Sequence, residues 1–240
     1  MVIVQKYGGT SLSGEKGLRR VAERIRSAAK QGRVIAVVSA RGHLTDRLSD
    51  SVSRGNTVEL NRERDACLAA GEQIAAAQLA ALLCSMETPA VSLTGWQAGI
   101  RTDGKYGDAE IQEIRPERIY KEFSEGKNVI VAGFQGINAD GNVTTLGRGG
   151  SDTTAAALAA VFGVKICQIF TDVDGVYDRD PHLWPDAEKF SYLTYSQMKE
   201  LIARKARVLH SRCVETAEKY GIILEVCSAE GNEPGTRIGP

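Results

Sequence analysis

Six short apolar runs, at Val2–Gln5, Val34–Ser39, Ala90–Thr94, Asn128–Ala132, Lys165–Phe170 and Ile222–Val226, alternate along the chain with segments of longer period. Runs of this length, bounded by glycine and polar residues, predict strands. Between them, Leu18, Val21, Ala22, Ile25, Ala28 and Ala29 recur at three- and four-residue spacing. That spacing predicts an amphipathic helix whose outer face carries Arg19, Arg20, Glu23 and Arg26. Pro116 stands at the start of another helix, Ile119 and Phe123 share a face of it, and Gly126 is placed to end it in a left-handed conformation. Parallel strands need crossover connections and burial on both faces, so the alternation predicts an α/β fold with a mainly parallel sheet between helical layers.

Ligands of such sheets collect at the carboxyl ends of the strands. Glycine-rich or polar segments follow the strands at Gly8–Ser11, Ser39–Gly42, Thr94–Gly95, Gly133–Gly136 and Thr171–Gly175, and all five are expected to converge on one edge. No repeat, low-complexity tract or linker stands out, and the polar stretch Arg47–Arg64 is expected to be a mobile excursion.

Composition narrows the ligands. The 240 residues carry 30 Lys plus Arg against 30 Asp plus Glu, so no global field draws the chain to nucleic acid or anionic lipid, and any anion site must be local. The five cysteines are odd in number, widely spaced and without a C-x-x-C pair, which argues against a disulfide framework or thiolate metal site and fits a reducing cytoplasm. Neither a run of about 18 apolar residues nor a signal peptide is evident.

The stretch Thr144–Thr154, TTLGRGGSDTT, looks built to hold anions. Its glycines let backbone N–H groups turn toward a negative ligand at the mouth of a helix, and Arg148 can grip a carboxylate or phosphate; the alternative is a turn capped by Ser151. A dinucleotide-binding fingerprint fails here, because Asp152 occupies the third glycine position and no long apolar strand precedes Gly147. Near the N-terminus, Lys6–Tyr7–Gly8–Gly9–Thr10–Ser11 places a cation beside two glycines at a strand end without forming a Walker A loop. Ser39 and Thr45 are candidate donors to a substrate carboxylate, although Thr45 and Asp46 also suit a helix start. Glu72 interrupts an alanine-rich helical region, where it either holds a substrate ammonium or is solvated.

After the fifth run, Thr171–Asp172–Val173–Asp174–Gly175–Val176–Tyr177 is acid-rich without the spacing of a calcium loop. A nucleotide loop suits it better, with Asp172 and Asp174 holding ribose hydroxyls or waters around magnesium and Tyr177 against a base. The basic segment Arg204–Arg212 is expected to be mostly solvated, with one charge serving a phosphate. None of His43, His182 or His210 stands in a triad context.

Taken together, Val4–Ser11, Val37–Ala40, Ser92–Ile100, Val131–Gly136, Thr144–Ala155 and Thr171–Tyr177 closely resemble the catalytic domain of aspartokinases, within the amino acid kinase superfamily. The resemblance runs in order from residue 2 to about residue 238. It implies a three-layer α/β/α domain, with an amino-acid-binding lobe to about residue 145 and a nucleotide-binding lobe from about residue 146. It also implies transfer of the γ-phosphoryl group of ATP, with Mg2+, to the β-carboxylate of L-aspartate in a cytoplasmic homodimer. Carried over, Lys6 neutralises the transferring group, Gly8 and Gly9 present backbone donors to phosphates, and Asp152 orients the basic groups. Ser39, Thr45, Glu72, Arg148 and Ser151 bind aspartate, while Thr171, Asp172 and Tyr177 line the nucleotide site. Where the family reads Gly-Ala-Lys-Val-Leu-His-Pro-Arg, this chain has Lys205–Ala206–Arg207–Val208–Leu209–His210–Ser211–Arg212, so Arg207 takes the place of a phosphate-contacting lysine. His182 likewise replaces a common arginine. Aspartokinases usually continue into two ACT domains; if 240 residues is the natural length, no ACT-mediated feedback inhibition is expected. Two other readings compete: a kinase for another small carboxylate or amino acid, and a weakly catalytic nucleotide-binding regulatory subunit.

Overall fold

The computed structural model describes residues 1–53, 55, 57–179, 181, 183–184, 186–204, 208–231 and 233–240. The first half of the chain runs β1 (Val2–Tyr7), α1 (Gly14–Ala28), β2 (Arg33–Val38), α2 (Leu44–Ser51), α3 (Val58–Ser85), β3 (Ala90–Leu93), β4 (Ile100–Thr102), β5 (Ile111–Ile114) and α4 (Glu117–Ser124). It continues through β6 (Asn128–Ala132), β7 (Gln135–Ile137), β8 (Val143–Thr145), α5 (Gly150–Val161) and β9 (Ile166–Thr171). The chain finishes with β10 (Tyr192–Thr194), α6 (Tyr195–Ala203), α7 (Ser211–Tyr220), β11 (Ile223–Ser228) and β12 (Thr236–Gly239).

The six apolar runs form six adjacent strands of an eight-stranded sheet ordered β10-β12-β11-β9-β1-β2-β6-β3. All pairings among those six are parallel, and β12 then runs antiparallel to β11. Strand alternation separates two cores. Ile35 and Val37 of β2 and Val129 and Val131 of β6 pack on the face covered by α4, α5, α6 and α7. Val34, Ala36 and Val38 with Ile130 and Ala132 pack on the opposite face, under α1 and α3.

Two expectations change, and one feature was not expected. Most of the described residues of the stretch 47–64 are helical: α2 continues to Ser51 and α3 begins at Val58, its first turn capped by the Thr57 side chain accepting from Leu60 N at 3.3 Å. A second sheet, ordered β5-β4-β7-β8, stands beside the first; its strands of three or four residues are too short to show a period. Pro116 is the residue before α4, one position earlier than expected. By length and composition α3 could cross a membrane, yet half of its most apolar stretch is buried in the fold, with Ala75, Ala76, Leu79 and Leu83 in the core.

Candidate active site

Side-chain parity on β1 explains the placement of Lys6. Val4 points into the core beneath α5, and Lys6, two residues on, shares that face. Its strand neighbours are Val37 and Ile169. Asp152 lies in the first turn of α5, directly in reach: Lys6 Nζ and Asp152 Oδ1 are 2.7 Å apart, each side chain 11% exposed. Both line a cavity of about 780 Å³ at the carboxyl edge of the central sheet.

The glycine-rich stretch forms another wall of that cavity. Gly149, not Ser151, is the residue preceding α5, with φ 73° and no side-chain cap; Ser151 lies inside the helix and is buried. A Cβ on Gly149 would collide with the Cβ of His210, so glycine is required there twice, for conformation and for space. Gly133 allows a similar approach, since a Cβ on it would lie 2.8 Å from Ser151 Oγ. Arg148 is exposed, lines the cavity and has no hydrogen bond or ion pair among the described residues.

Glu72 reaches the same cavity from α3 and is 3% exposed, which excludes the solvated reading. Its Oε1 accepts from Ala40 N at 3.0 Å, while Oε2 is buried without a partner among the described residues. Burial pushes its carboxyl up to about 7, against the opposing pull of the Ala40 N–H. Ser39 and Thr45 line the same wall, and Thr45 is at once a helix residue of α2 and a wall residue, so the two readings of it coexist.

Four of the five expected loops contribute to the cavity. The exception is Thr94–Gly95, where Gly95 abuts the backbone of Gln135 and serves the junction with the second sheet. Gly8 and Gly9 line the cavity, but the N–H of Gly8 already donates to Phe170 O at 3.1 Å and is not available to a phosphate. Gly9 is needed for close passage past Ala40 O, and its own N–H has no acceptor among the described residues. Thr171 and Asp172 are on the wall, with Thr171 Oγ1 donating to Asp172 Oδ1 at 3.0 Å. Tyr177 does not line the cavity; its hydroxyl donates to Asp174 Oδ1 at 2.8 Å, and Lys189 Nζ holds the other oxygen at 3.1 Å. Lys205, Arg207 and His182 lie outside the described residues. Arg212 is no solvated charge: its guanidinium donates to Leu146 O at 2.7 Å, Ala109 O at 3.1 Å and Asp108 Oδ1 at 2.6 Å.

Lys6 with Asp152 beside it, a guanidinium without partners among the described residues and a buried acceptor around one cavity suit a phosphorylated ligand together with a zwitterion. Residues 1–228 match the amino acid kinase family. The chain belongs to that family. An aspartokinase of Thermus thermophilus is 47% identical over 238 residues, which is 99% of this chain; the chain spans 59% of that relative's length. Aspartate kinase from Synechocystis, 42% identical, superimposes with a TM-score of 0.86 over all of this chain and 40% of its own. Escherichia coli aspartokinase III in complex with aspartate and ADP, at 24% identity, shares the fold with a TM-score of 0.87 over all of this chain and 64% of its own. This amino acid kinase is therefore an α/β protein whose central sheet is mainly parallel, as its sequence pattern predicted.

Sequence reasoning missed Asp65, His210 and Phe134. Asp65 is a buried carboxylate with three donors; His210 and Phe134 line the cavity, Phe134 at φ 70°. Local sequence carries no signal for Phe134, because a positive φ in a non-glycine residue is imposed by surrounding packing.

Proposed function

We propose that this amino acid kinase transfers the γ-phosphoryl group of ATP to the β-carboxylate of L-aspartate, giving 4-phospho-L-aspartate and ADP. The observation that carries this reading is the unpaired buried oxygen of Glu72 on the wall that also presents the free guanidinium of Arg148. An anionic acceptor and a cationic fork facing one cavity match the ammonium and carboxylate of an amino acid. The 47% identity to an aspartokinase supports aspartate as that amino acid.

In this reading Arg148 and Ser151 take a substrate carboxylate, Ser39 and Thr45 add donors, and Glu72 takes the ammonium. The β-carboxylate, with an ordinary pKa of about 4, is ionised at neutral pH, so its attack needs no general base. It needs alignment and positive charge. One carboxylate oxygen bonds to the γ-phosphorus, the bond to the β,γ-bridging oxygen breaks, and ADP leaves with that electron pair. Lys6, held by Asp152, neutralises charge that accumulates on the transferring group.

Gly9, Thr171 and Asp172 face the nucleotide, and residues from about 146 onward form most of its lobe. Among the described residues no group of three His, Cys, Asp or Glu is arranged as a metal site. Magnesium commonly binds through one or two carboxylates plus substrate phosphates, so the arrangement fits an ion that arrives with the nucleotide and meets Asp172. When bound, that ion neutralises phosphate charge. A cytoplasmic homodimer completes the proposal, supported for compartment by five cysteines that are all free.

The test is incubation with ATP, magnesium and L-aspartate in the presence of hydroxylamine, which traps the acyl phosphate as a hydroxamate. Aspartate-dependent hydroxamate is expected, and other amino acids should give none. No hydroxamate from aspartate would overturn the proposal.

A further inference from the structure

Asp65 lies on α3 seven residues before Glu72, hence on nearly the same helical face two turns away. It is 1% exposed and does not line the cavity. Its Oδ2 accepts from Thr145 N at 2.7 Å and Gly107 N at 2.9 Å, and its Oδ1 from Thr145 Oγ1 at 2.8 Å. Burying a carboxylate is costly unless its oxygens are satisfied, and these three donors offset that cost.

The residues it holds are a node. Thr145 O accepts from Ala109 N at 2.9 Å, Leu146 N donates to Phe134 O at 2.8 Å, and Leu146 O accepts from Arg212. Every backbone polar group of Thr145 and Leu146 is therefore satisfied, each by a different segment. The chain then turns through Gly147, at φ 70°, and the next residue is Arg148. Among the described residues no side chain holds the Arg148 guanidinium, so the backbone that carries it, which leaves the node two residues earlier, sets its direction.

We propose that Asp65 is a positioning residue for substrate recognition: it locks Thr145 so that the glycine loop presents Arg148 to the cavity while Glu72, on the same face of α3, presents its carboxylate. One helix then sets the spacing between the groups that take the two charged ends of the amino acid. The inference rests on the reading of Arg148 as a carboxylate-binding residue.

Steady-state kinetics with aspartate and ATP test it. Asp65→Ala should raise KM for aspartate by about tenfold, with kcat and KM for ATP within about threefold of the parent, because misplacing a binding group by a fraction of an ångström affects the ligand it holds. Asp65→Asn should stay close to the parent, since an amide oxygen can accept from both N–H groups while its nitrogen donates to the Thr145 hydroxyl. The discriminating measurement is the double variant. In an Arg148→Ala background, Asp65→Ala should add little to KM for aspartate, because the two changes act through one contact. If Asp65→Ala does not fold, Thr145→Val, which replaces the hydroxyl by a methyl group and keeps the Thr145 N–H contact, should raise KM for aspartate by about threefold, and this rise should vanish without Arg148. An unchanged KM for aspartate in Arg148→Ala would remove the reading on which the inference stands. A raised KM in Arg148→Ala, with no rise in the Asp65 or Thr145 variant or with fully additive effects, would overturn the positioning role itself.

Discussion

The carboxylate of Glu72 accepts a hydrogen bond from the backbone N–H of Ala40 at 3.0 Å, and its second oxygen is buried without a partner among the described residues. Helix α3 and the loop after β2 are thus joined through one oxygen of the carboxylate, and the proposed function assigns the other to the substrate ammonium. Burial holds the folded carboxyl at about 7, above the ordinary carboxylate range.

A pH dependence follows from that shift. Between the ordinary carboxylate pKa and about 7, the unfolded chain has released the proton that the folded protein keeps, so the contribution of Glu72 to stability falls as pH rises through this window. Glu72→Gln should flatten that fall in chemical denaturation series at different pH. A substrate ammonium binds the ionised form, so affinity for aspartate should rise from about pH 6 to about pH 8 in the parent and lose this rise in Glu72→Gln. Parallel affinity profiles for the two proteins would exclude Glu72 as the ammonium site.

The Lys6–Asp152 pair separates catalysis from stability. Lys6→Ala should lower kcat by on the order of a hundredfold or more if the ammonium acts on the transition state. It also leaves Asp152 buried without a counter-ion, which costs about 3–5 kcal/mol when such pairs are broken from one side. Adding Asp152→Asn removes the orphaned charge, so the double variant should be more stable than Lys6→Ala alone and equally inactive. Denaturant midpoints and turnover numbers measured on the parent and the two variants decide the point.

Gly149→Ala confronts both a left-handed backbone and the side chain of His210. The backbone alone costs about 1–2 kcal/mol for a residue with a Cβ, and displacement of His210 adds to it. Gly141, also left-handed, has open space around it, so Gly141→Ala isolates the backbone penalty. The prediction is a larger loss of thermal stability for Gly149→Ala than for Gly141→Ala, with activity lost only in the former.

Arg212→Lys tests the far side of the node that Asp65 holds. A lysine keeps the charge but cannot reach Leu146 O, Ala109 O and Asp108 together as the planar guanidinium does. Loss of two hydrogen bonds from buried carbonyl groups should lower stability by about 1–3 kcal/mol. A melting temperature equal to the parent's would show that the strut is dispensable.

Much of this architecture was legible in local pattern. Six apolar runs became six adjacent parallel strands because strand burial on both faces leaves a short, nearly continuous apolar signature. Lys6 and the glycine stretch with Arg148 were legible as separate anion sites from their glycines and charges, while Ser151 and Asp152 joined them only through the family resemblance. The second sheet was not, since strands of three and four residues carry too few side chains for a period. The expected phosphate donor at Gly8 also failed, because its N–H is taken by Phe170, a residue on a strand far along the chain.

By itself the sequence determined the strand and helix segments, the parity that turns Lys6 toward α5, and the glycines that permit close backbone approach. Those are local properties of side-chain period and backbone freedom. Only the tertiary structure decided which charged residues are buried and by what they are held. Glu72 and Asp65 lie on one helix among exposed acids of the same type, and what sets them apart is contact with Ala40, Gly107 and Thr145. Desolvation and hydrogen bonding depend on neighbours brought together by folding, so the state of these two carboxylates belongs to the assembled structure rather than to the segment that bears them.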